Sequence, residues 1–142
     1  MKNLLFLCVA AMLLLTASKC KDKMSFDIGQ PVTLKIGQAA VCSCEKFGFQ
    51  VEKIKEDSRC PKYTNCVWEG QVVVEVAVKE KGGKTQNLDF TIRGTDKQSA
   101  ARRVGDYQLR VKQVDPYPEA NKTVTKEDYM ITLVAEEIKT DN

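Results

Sequence analysis

Four cysteines, at positions 42, 44, 60 and 66, are the residues whose type and spacing first suggest chemistry. As thiolates they could bind a metal ion or carry out redox reactions, whereas in pairs they would form disulfide bonds. The chain contains no histidine, which excludes Ser-His-Asp and Cys-His catalysis and the zinc sites that use imidazole. This composition favours a protein that is not an enzyme.

The spacing of the cysteines favours disulfide bonds over a metal site. Structural zinc sites usually place two cysteines about two to four residues apart within each half, whereas here the intervening segments hold one and five residues. A Cys60–Cys66 bond closes a ring of seven residues, for which loop entropy predicts about 2.4 kcal/mol of stabilisation. Cys42 and Cys44 are the remaining pair, and they can bond only if the chain turns between them. The alternative is a four-thiolate metal site; we expect neither metal nor cofactor.

Residues 57–70, with the sequence DSRCPKYTNCVWEG, surround the Cys60–Cys66 ring. One interpretation is functional: the ring is a rigid loop that presents Arg59 and Tyr63 to a partner, as disulfide-framed inhibitor loops do. Tyr117, which lies between two prolines, is a second candidate contact.

The other interpretation of this segment is local scaffolding, and the turn chemistry of Asp and Ser favours it. Asp57 would accept backbone N–H bonds, and Arg59 would pair with Asp57 or Glu69. Trp68, the only tryptophan, would be buried against the disulfide ring.

Alternating apolar and polar residues must supply the framework that positions this loop. In Gln71 to Glu80 four valines alternate with other residues, as in a strand with one face on a core. Similar segments with turn signals between them predict an all-β fold, a single antiparallel β-sandwich or barrel of about seven strands. The other clear segments lie near residues 32–36, 47–54, 88–92, 107–114 and 129–138.

Several local signals refine the strand pattern. Ile54 and Val114 fall out of phase with the preceding alternation, which predicts a β-bulge in each strand. The Lys-Gly-Gly-Lys segment at 81–84 predicts a hairpin turn. Residues 95–103 are predicted to form a loop or a short helical turn, and the prolines at 116 and 118 must end a strand.

The N-terminal segment has the layout of a secretory signal. Lys2 precedes an apolar run over residues 4–15, and small residues follow at 16–18. A run of this length is shorter than the roughly 20 residues that span a bilayer. We therefore predict a signal peptide at 1–19, a tether at 20–30 and a β-domain at 31–142.

Cys20 follows the small residues directly, and here the chain resembles bacterial lipoprotein precursors. The resemblance implies that Cys20 is acylated and becomes the mature N-terminus, although Lys19 departs from the small residue usual before that cysteine. Acylation also leaves an even number of cysteines, whereas cleavage after Ser18 would release a soluble chain with five. The charged residues at 21–23 are similar to the tethers of lipoproteins of the Bacteroidota.

A second resemblance rests on Asp57, Ser58, Arg59, Cys60, Pro61, Cys66, Trp68 and Gly70 followed by the valine strand. This pattern is similar to one in small bacterial secreted proteins and lipoproteins that have no activity known to us. It implies an exported β-domain and no particular chemistry. Cys42 and Cys44 are not part of the pattern.

Together these features predict a lipid-anchored cell-envelope protein, a non-catalytic binding or structural module. We expect it at the bacterial outer membrane or cell surface, attached by its N-terminal lipid, with a protein or glycan partner. A soluble periplasmic or secreted protein is the alternative location, and a hydrolase inhibitor acting through residues 60–66 is the alternative function. The net charge falls from +3 to +1 when residues 1–19 are removed, and no basic stripe indicates nucleic acid.

The lipid anchor generates the first testable prediction. Replacing Cys20 by Ser should move the protein from the membrane fraction to the soluble fraction, because each buried acyl methylene contributes about 0.8 kcal/mol. Cell fractionation and intact mass spectrometry measure this. A wild-type protein that is already soluble and begins at Lys19 would contradict the prediction.

Overall fold

The valine strand is the centre of a two-sheet structure. The computed structural model of the protein describes residues 23–93 and 100–139. These residues form nine strands and one short 3₁₀ turn, Lys126–Asp128. The strands are β1 (Lys23–Phe26), β2 (Val32–Lys35), β3 (Ala39–Cys42), β4 (Phe47–Asp57), β5 (Gln71–Glu80), β6 (Thr85–Arg93), β7 (Ala101–Val104), β8 (Tyr107–Asp115) and β9 (Met130–Glu137).

The strands are divided between a five-stranded and a four-stranded sheet. The first has the order β1-β3-β4-β5-β6, and the second has the order β2-β9-β8-β7. All neighbouring pairs are antiparallel except β1 and β3, which are parallel. The sheets do not close into a barrel, so the predicted all-β class is confirmed and the structure is a sandwich.

One core lies between the two sheets. On β5 the residues at 72, 74, 76 and 78 are buried while their neighbours are only partly covered, which confirms the predicted inward face. Phe90 on β6 and Leu109 on β8 are fully buried and complete the contact between the sheets. The alternation of strand side chains therefore places one face of each sheet against the other.

Both predicted bulges and the predicted turn are present. The β4–β5 register shifts between Val51 and Lys53 and again between Ile54 and Glu56, and the β8–β9 register shifts between Val111 and Gln113. Residues 81–84 connect β5 to β6 as a tight hairpin. The strand β8 ends at Asp115, directly before the first of the two prolines.

The structure corrects two of the predicted connections. Residues 20–30 were expected to be a tether, but Lys23–Phe26 forms β1, and Phe26 is buried against the rings of Phe47 and Phe49. Part of the loop expected at 95–103 is instead β7. Each of these strands buries a single residue, so neither has the row of core-facing residues that reveals the equally short β2.

Some predictions fall outside the described residues. These are the signal peptide at 1–19, the acylation of Cys20, and the conformation of residues 94–99. Among the residues that the structure describes, no helix is long and apolar enough to cross a membrane.

Candidate functional site

The segment between β4 and β5 extends the hairpin beyond the sheet. After β4 ends, Ser58 N–H donates to the carbonyl of Gln71 at 2.8 Å, and Cys60 N–H donates to the carbonyl of Glu69 at 2.9 Å. These two bonds form the base of the loop. Residues 61–68, called the contact loop from here on, lie beyond that base.

A disulfide bond closes the contact loop. Cys60 and Cys66 are bonded with their Cα atoms 6.0 Å apart, as predicted. Inside the ring the Thr64 hydroxyl donates to the carbonyl of Pro61 at 2.6 Å, so a polar group of the loop is satisfied within the loop itself. The contact loop is therefore a small cross-linked unit rather than an open connection.

Cys42 and Cys44 also form a disulfide bond, with Cα atoms 5.0 Å apart. The chain turns there, because Glu45 N–H donates to the carbonyl of Cys42 at 2.8 Å. The four cysteines of the described residues are thus bonded in pairs, which leaves no free thiolate among them. Within residues 23–93 and 100–139, no group of three or more His, Cys, Asp and Glu side chains is placed to bind a metal.

Arg59 and Asp57 form a buried ion pair at the base of the loop. The guanidinium donates through Nε to Asp57 Oδ1 at 2.8 Å and through Nη2 to Oδ2 at 2.7 Å. This paired geometry matches the planar guanidinium to the planar carboxylate. Arg59 is only 8% exposed, so these bonds form largely away from water.

The same ion pair connects the two sheets. Arg59 donates to the carbonyl of Val114, near the end of β8, at 2.7 Å and to the carbonyl of Pro116, just beyond that strand, at 3.0 Å. The hydroxyl of Tyr129, just before β9, donates to Asp57 Oδ2 at 2.9 Å. Asp57, Arg59 and Tyr129 therefore form a latch that ties the five-stranded sheet to the four-stranded sheet at one end of the sandwich.

The expectation that Arg59 contacts a partner is wrong. Its side chain is buried, and its guanidinium is occupied by Asp57 and two backbone carbonyls. The scaffolding interpretation is confirmed for this residue, with Asp57 rather than Glu69 as the partner. Tyr117, the second candidate contact, lies partly buried with its ring centroid 5.0 Å from the Arg59 guanidinium.

Trp68 is not buried against the disulfide ring, so that prediction is also wrong. It is 59% exposed, Tyr63 is 94% exposed, and Val67 is 106% exposed, more than in an extended reference chain. The base hydrogen bonds direct the contact loop away from both sheets, so no core surface is available to cover the indole. The exposure of Tyr63 agrees with its predicted position on a presented loop, whereas Val67 was not predicted to be exposed because no periodicity marks a valine within a loop.

The contact loop is held at its side as well as at its base. Lys62 N–H donates to the carbonyl of Pro118 at 2.9 Å, and the Lys62 ammonium pairs with Glu119 at 3.6 Å. Two segments distant in sequence therefore fix the loop relative to the sandwich. The exposed apolar side chains are presented from a supported backbone.

Tyr129 has a perturbed ionisation. Burial and the hydrogen bond to Asp57 raise the pKa of its hydroxyl from 10.0 to about 12. Both causes favour the neutral phenol, since a phenolate would face the Asp57 carboxylate in a poorly solvated site.

A groove of about 420 Å³ opens on the outer face of the five-stranded sheet. Small side chains form its floor, and three lysines and three glutamates lie among its lining residues, so the charges there balance. Gly48 and Lys79, which pair across β4 and β5, lie at the end of these strands opposite the contact loop. The floor residues are Ala39, Val41, Gly48 and Ala77.

No family model, curated protein or solved structure matches the chain. Its function must therefore be inferred from the geometry of the latch, the contact loop and the groove. Of these, the contact loop alone combines a supported backbone with fully exposed aromatic and apolar side chains.

Gly70 is essential to the base of the loop. It has a φ of +73°, and a Cβ there would lie 1.8 Å from the carbonyl oxygen of Ser58. Gly70→Ala should therefore lower the free energy of unfolding by at least about 3 kcal/mol. The matched control is Gly82, which has a φ of +77° with no atom within 4 Å of its Cβ position; its change to Ala should cost about 1–2 kcal/mol. Equal losses in urea denaturation would contradict the clash at Gly70.

Removing the Arg59 charge should also destabilise the fold. Arg59→Met leaves the Asp57 carboxylate buried without its partner, which costs about 3–5 kcal/mol. Replacing Asp57 by Leu in the same protein should recover part of this loss, because no buried charge then remains. Arg103, an exposed arginine on β7, is the control, and its change to Met should stay within about 0.5 kcal/mol. An Arg59→Met protein as stable as the wild type would contradict the latch.

The raised pKa of Tyr129 predicts a loss of stability at high pH. The folded state holds the phenol proton more tightly than the unfolded state, so the contribution is complete below about pH 10 and is lost as the pH rises through about 12. The full loss is about 3 kcal/mol. Urea denaturation between about pH 9 and about pH 12 should show a steeper decline for the wild type than for Tyr129→Phe. Parallel declines would show that the phenol is not coupled to folding.

Proposed function

We propose that the protein is a lipid-anchored module of the bacterial cell envelope that binds a partner through the contact loop and is not an enzyme. The observation that carries this proposal is the exposure of Tyr63, Val67 and Trp68 on a loop fixed at its base and side. The anchoring is supported by the signal-like segment at 1–19 and by Cys20.

The side chains of the contact loop are of the types that dominate binding energy. Tryptophan and tyrosine are enriched among the residues whose truncation costs most at interfaces. A loop that is already ordered by a disulfide bond loses little conformational freedom on binding. Tyr63 also has a φ of +64°, a conformation that is unusual for a bulky residue and is often found at functional sites.

The non-catalytic assignment is supported by the chemistry of the side chains. The chain lacks histidine, and the four cysteines outside residues 1–22 are in disulfide bonds. The most strongly bonded carboxylate, Asp57, is committed to Arg59 and Tyr129. Its role in the latch accounts for its burial without an active site.

A hydrolase inhibitor is the second candidate function. The observation that favours it is the disulfide-closed ring with Pro61 inside and Tyr63 projecting from it, which could enter an active-site cleft. Purified proteases and lysozymes assayed with the protein separate the two functions. Inhibition that Tyr63→Ala abolishes would support the inhibitor, and unchanged hydrolase activity would favour the envelope module.

The proposed function predicts binding to isolated cell envelopes that depends on the contact loop. A Cys20→Ser protein, which has no lipid, should still bind, and adding Tyr63→Ser and Trp68→Ser should weaken binding about tenfold or more. Adding Met24→Ser instead, an exposed apolar residue on β1, is the control and should leave binding unchanged. Sedimentation with envelopes measures the bound fraction. Equal binding by the loop variant and the control would contradict a role for the contact loop.

A further inference from the structure

We propose that the contact loop inserts Tyr63, Val67 and Trp68 into the interfacial region of a lipid bilayer. The inference rests on the proposed function, because it assigns the class of partner to the same loop. The membrane is then contacted twice, by the acyl chains on Cys20 and by the loop.

The way in which these side chains protrude favours a bilayer over a protein. Tyr63 and Val67 are 94% and 106% exposed, so they stand free of the domain instead of forming a flat patch with their neighbours. A protein partner would need a separate pocket to enclose each of them. A bilayer needs none, since its interfacial region admits protruding apolar and aromatic groups wherever they enter.

The chemistry of the loop matches the membrane interface. Tyrosine and tryptophan each combine an apolar ring with one polar hydrogen-bonding group, and both are enriched at the level of lipid headgroups. Val67 adds a purely apolar group beside Trp68. Thr64 and Asn65, also exposed, can remain among the hydrated headgroups while the three larger side chains enter deeper.

Exposed apolar residues are concentrated at this end of the sandwich. Among the described residues five large apolar side chains are exposed, and three of them are in the contact loop. A fourth, Met130, begins β9 next to Tyr129 of the latch. One end of the molecule therefore carries most of the apolar surface that could face a membrane.

Two attachments explain why the loop must be rigid. Two or more acyl chains, as proposed for Cys20, already give stable membrane binding, so insertion of the loop would fix the orientation of the domain on the bilayer. A loop held by the disulfide bond and by the bonds of Cys60 and Lys62 keeps its apolar groups exposed before it meets the bilayer. Its insertion then requires little further ordering.

Trp68 is the only tryptophan and reports directly on insertion. The acylated protein is reconstituted in vesicles of phosphatidylethanolamine and phosphatidylglycerol, some prepared with lipids brominated near the glycerol end of their acyl chains. We expect the Trp68 emission to shift to shorter wavelength and to be quenched by the brominated lipids. The Cys20→Ser protein without vesicles provides the emission of the exposed residue.

A second measurement uses protein that lacks the lipid on Cys20. Partitioning of the Cys20→Ser protein into the same vesicles should fall about tenfold when Tyr63→Ser and Trp68→Ser are added. Adding Met24→Ser instead should leave partitioning unchanged. Tyr63, Trp68 and Met24 are all exposed, so their substitution should not unfold the protein. Circular dichroism of each variant checks that the fold is retained.

The outcomes distinguish the inference from the function on which it rests. Anchored protein whose Trp68 emission equals that in solution, without quenching, would overturn loop insertion and leave the anchored module standing. Loop-dependent binding to cell envelopes without binding to vesicles would likewise overturn it, and would indicate a protein or glycan partner. Protein that does not remain with the vesicles, with no emission shift, would overturn both proposals.

Discussion

The buried ion pair between Arg59 and Asp57 is the interaction on which the rest of this end of the molecule depends. A guanidinium and a carboxylate removed from water are tolerated only when their hydrogen-bonding groups are satisfied. Here the backbone carbonyls of Val114 and Pro116 and the hydroxyl of Tyr129 supply the remaining partners. These partners belong to the second sheet and its connections, so satisfying the pair requires the two sheets to meet in one arrangement.

The exposure of the contact loop follows from the same constraint. Arg59 fixes the backbone at the point where the loop leaves β4, and Gly70 allows the returning chain to pass directly over Ser58. The disulfide bond between Cys60 and Cys66 then closes a ring too small to fold back over the core. Apolar side chains in that ring have no protein surface to cover them, which is why they are available to a partner.

The fold was largely readable from the sequence because its long strands are amphipathic. Four alternating valines predict β5 and its inward face, and phase errors at Ile54 and Val114 predict the bulges of β4 and β8. The short ring predicts the Cys60–Cys66 bond, whereas Cys42–Cys44 follows only as the remaining pair. The strands β1, β3 and β7 escape detection, because β1 and β7 bury one residue each and β3 consists of small apolar residues that do not alternate with polar ones.

The site was less predictable because its contacts are distant in sequence. Arg59 bonds to carbonyls that lie 55 and 57 residues further along the chain, and no local pattern reveals such partners. The burial expected for Trp68 followed from its residue type, but burial depends on whether the fold provides a surface to cover it. The exposed Tyr63 was anticipated as a contact, while the equally exposed Val67 was not.

The proposed function rests on the contrast between the two ends of the segment 57–70 and its middle. Residues 57–60 and 69–70 are committed to the latch and the base, whereas residues 61–68 project from them. The latch and the base therefore hold a rigid apolar loop clear of both sheets.

Native-state amide hydrogen exchange at Cys60 and Lys62 tests most directly whether the latch makes the loop rigid. Their N–H groups bond to the carbonyls of Glu69 and Pro118, and slow exchange requires that such bonds open only with the surrounding structure. We predict protection at both amides close to that of Val74 and Val76 in the core strand β5. Exchange as fast as in the exposed turn at 81–84 would show that the loop opens independently and would contradict this account.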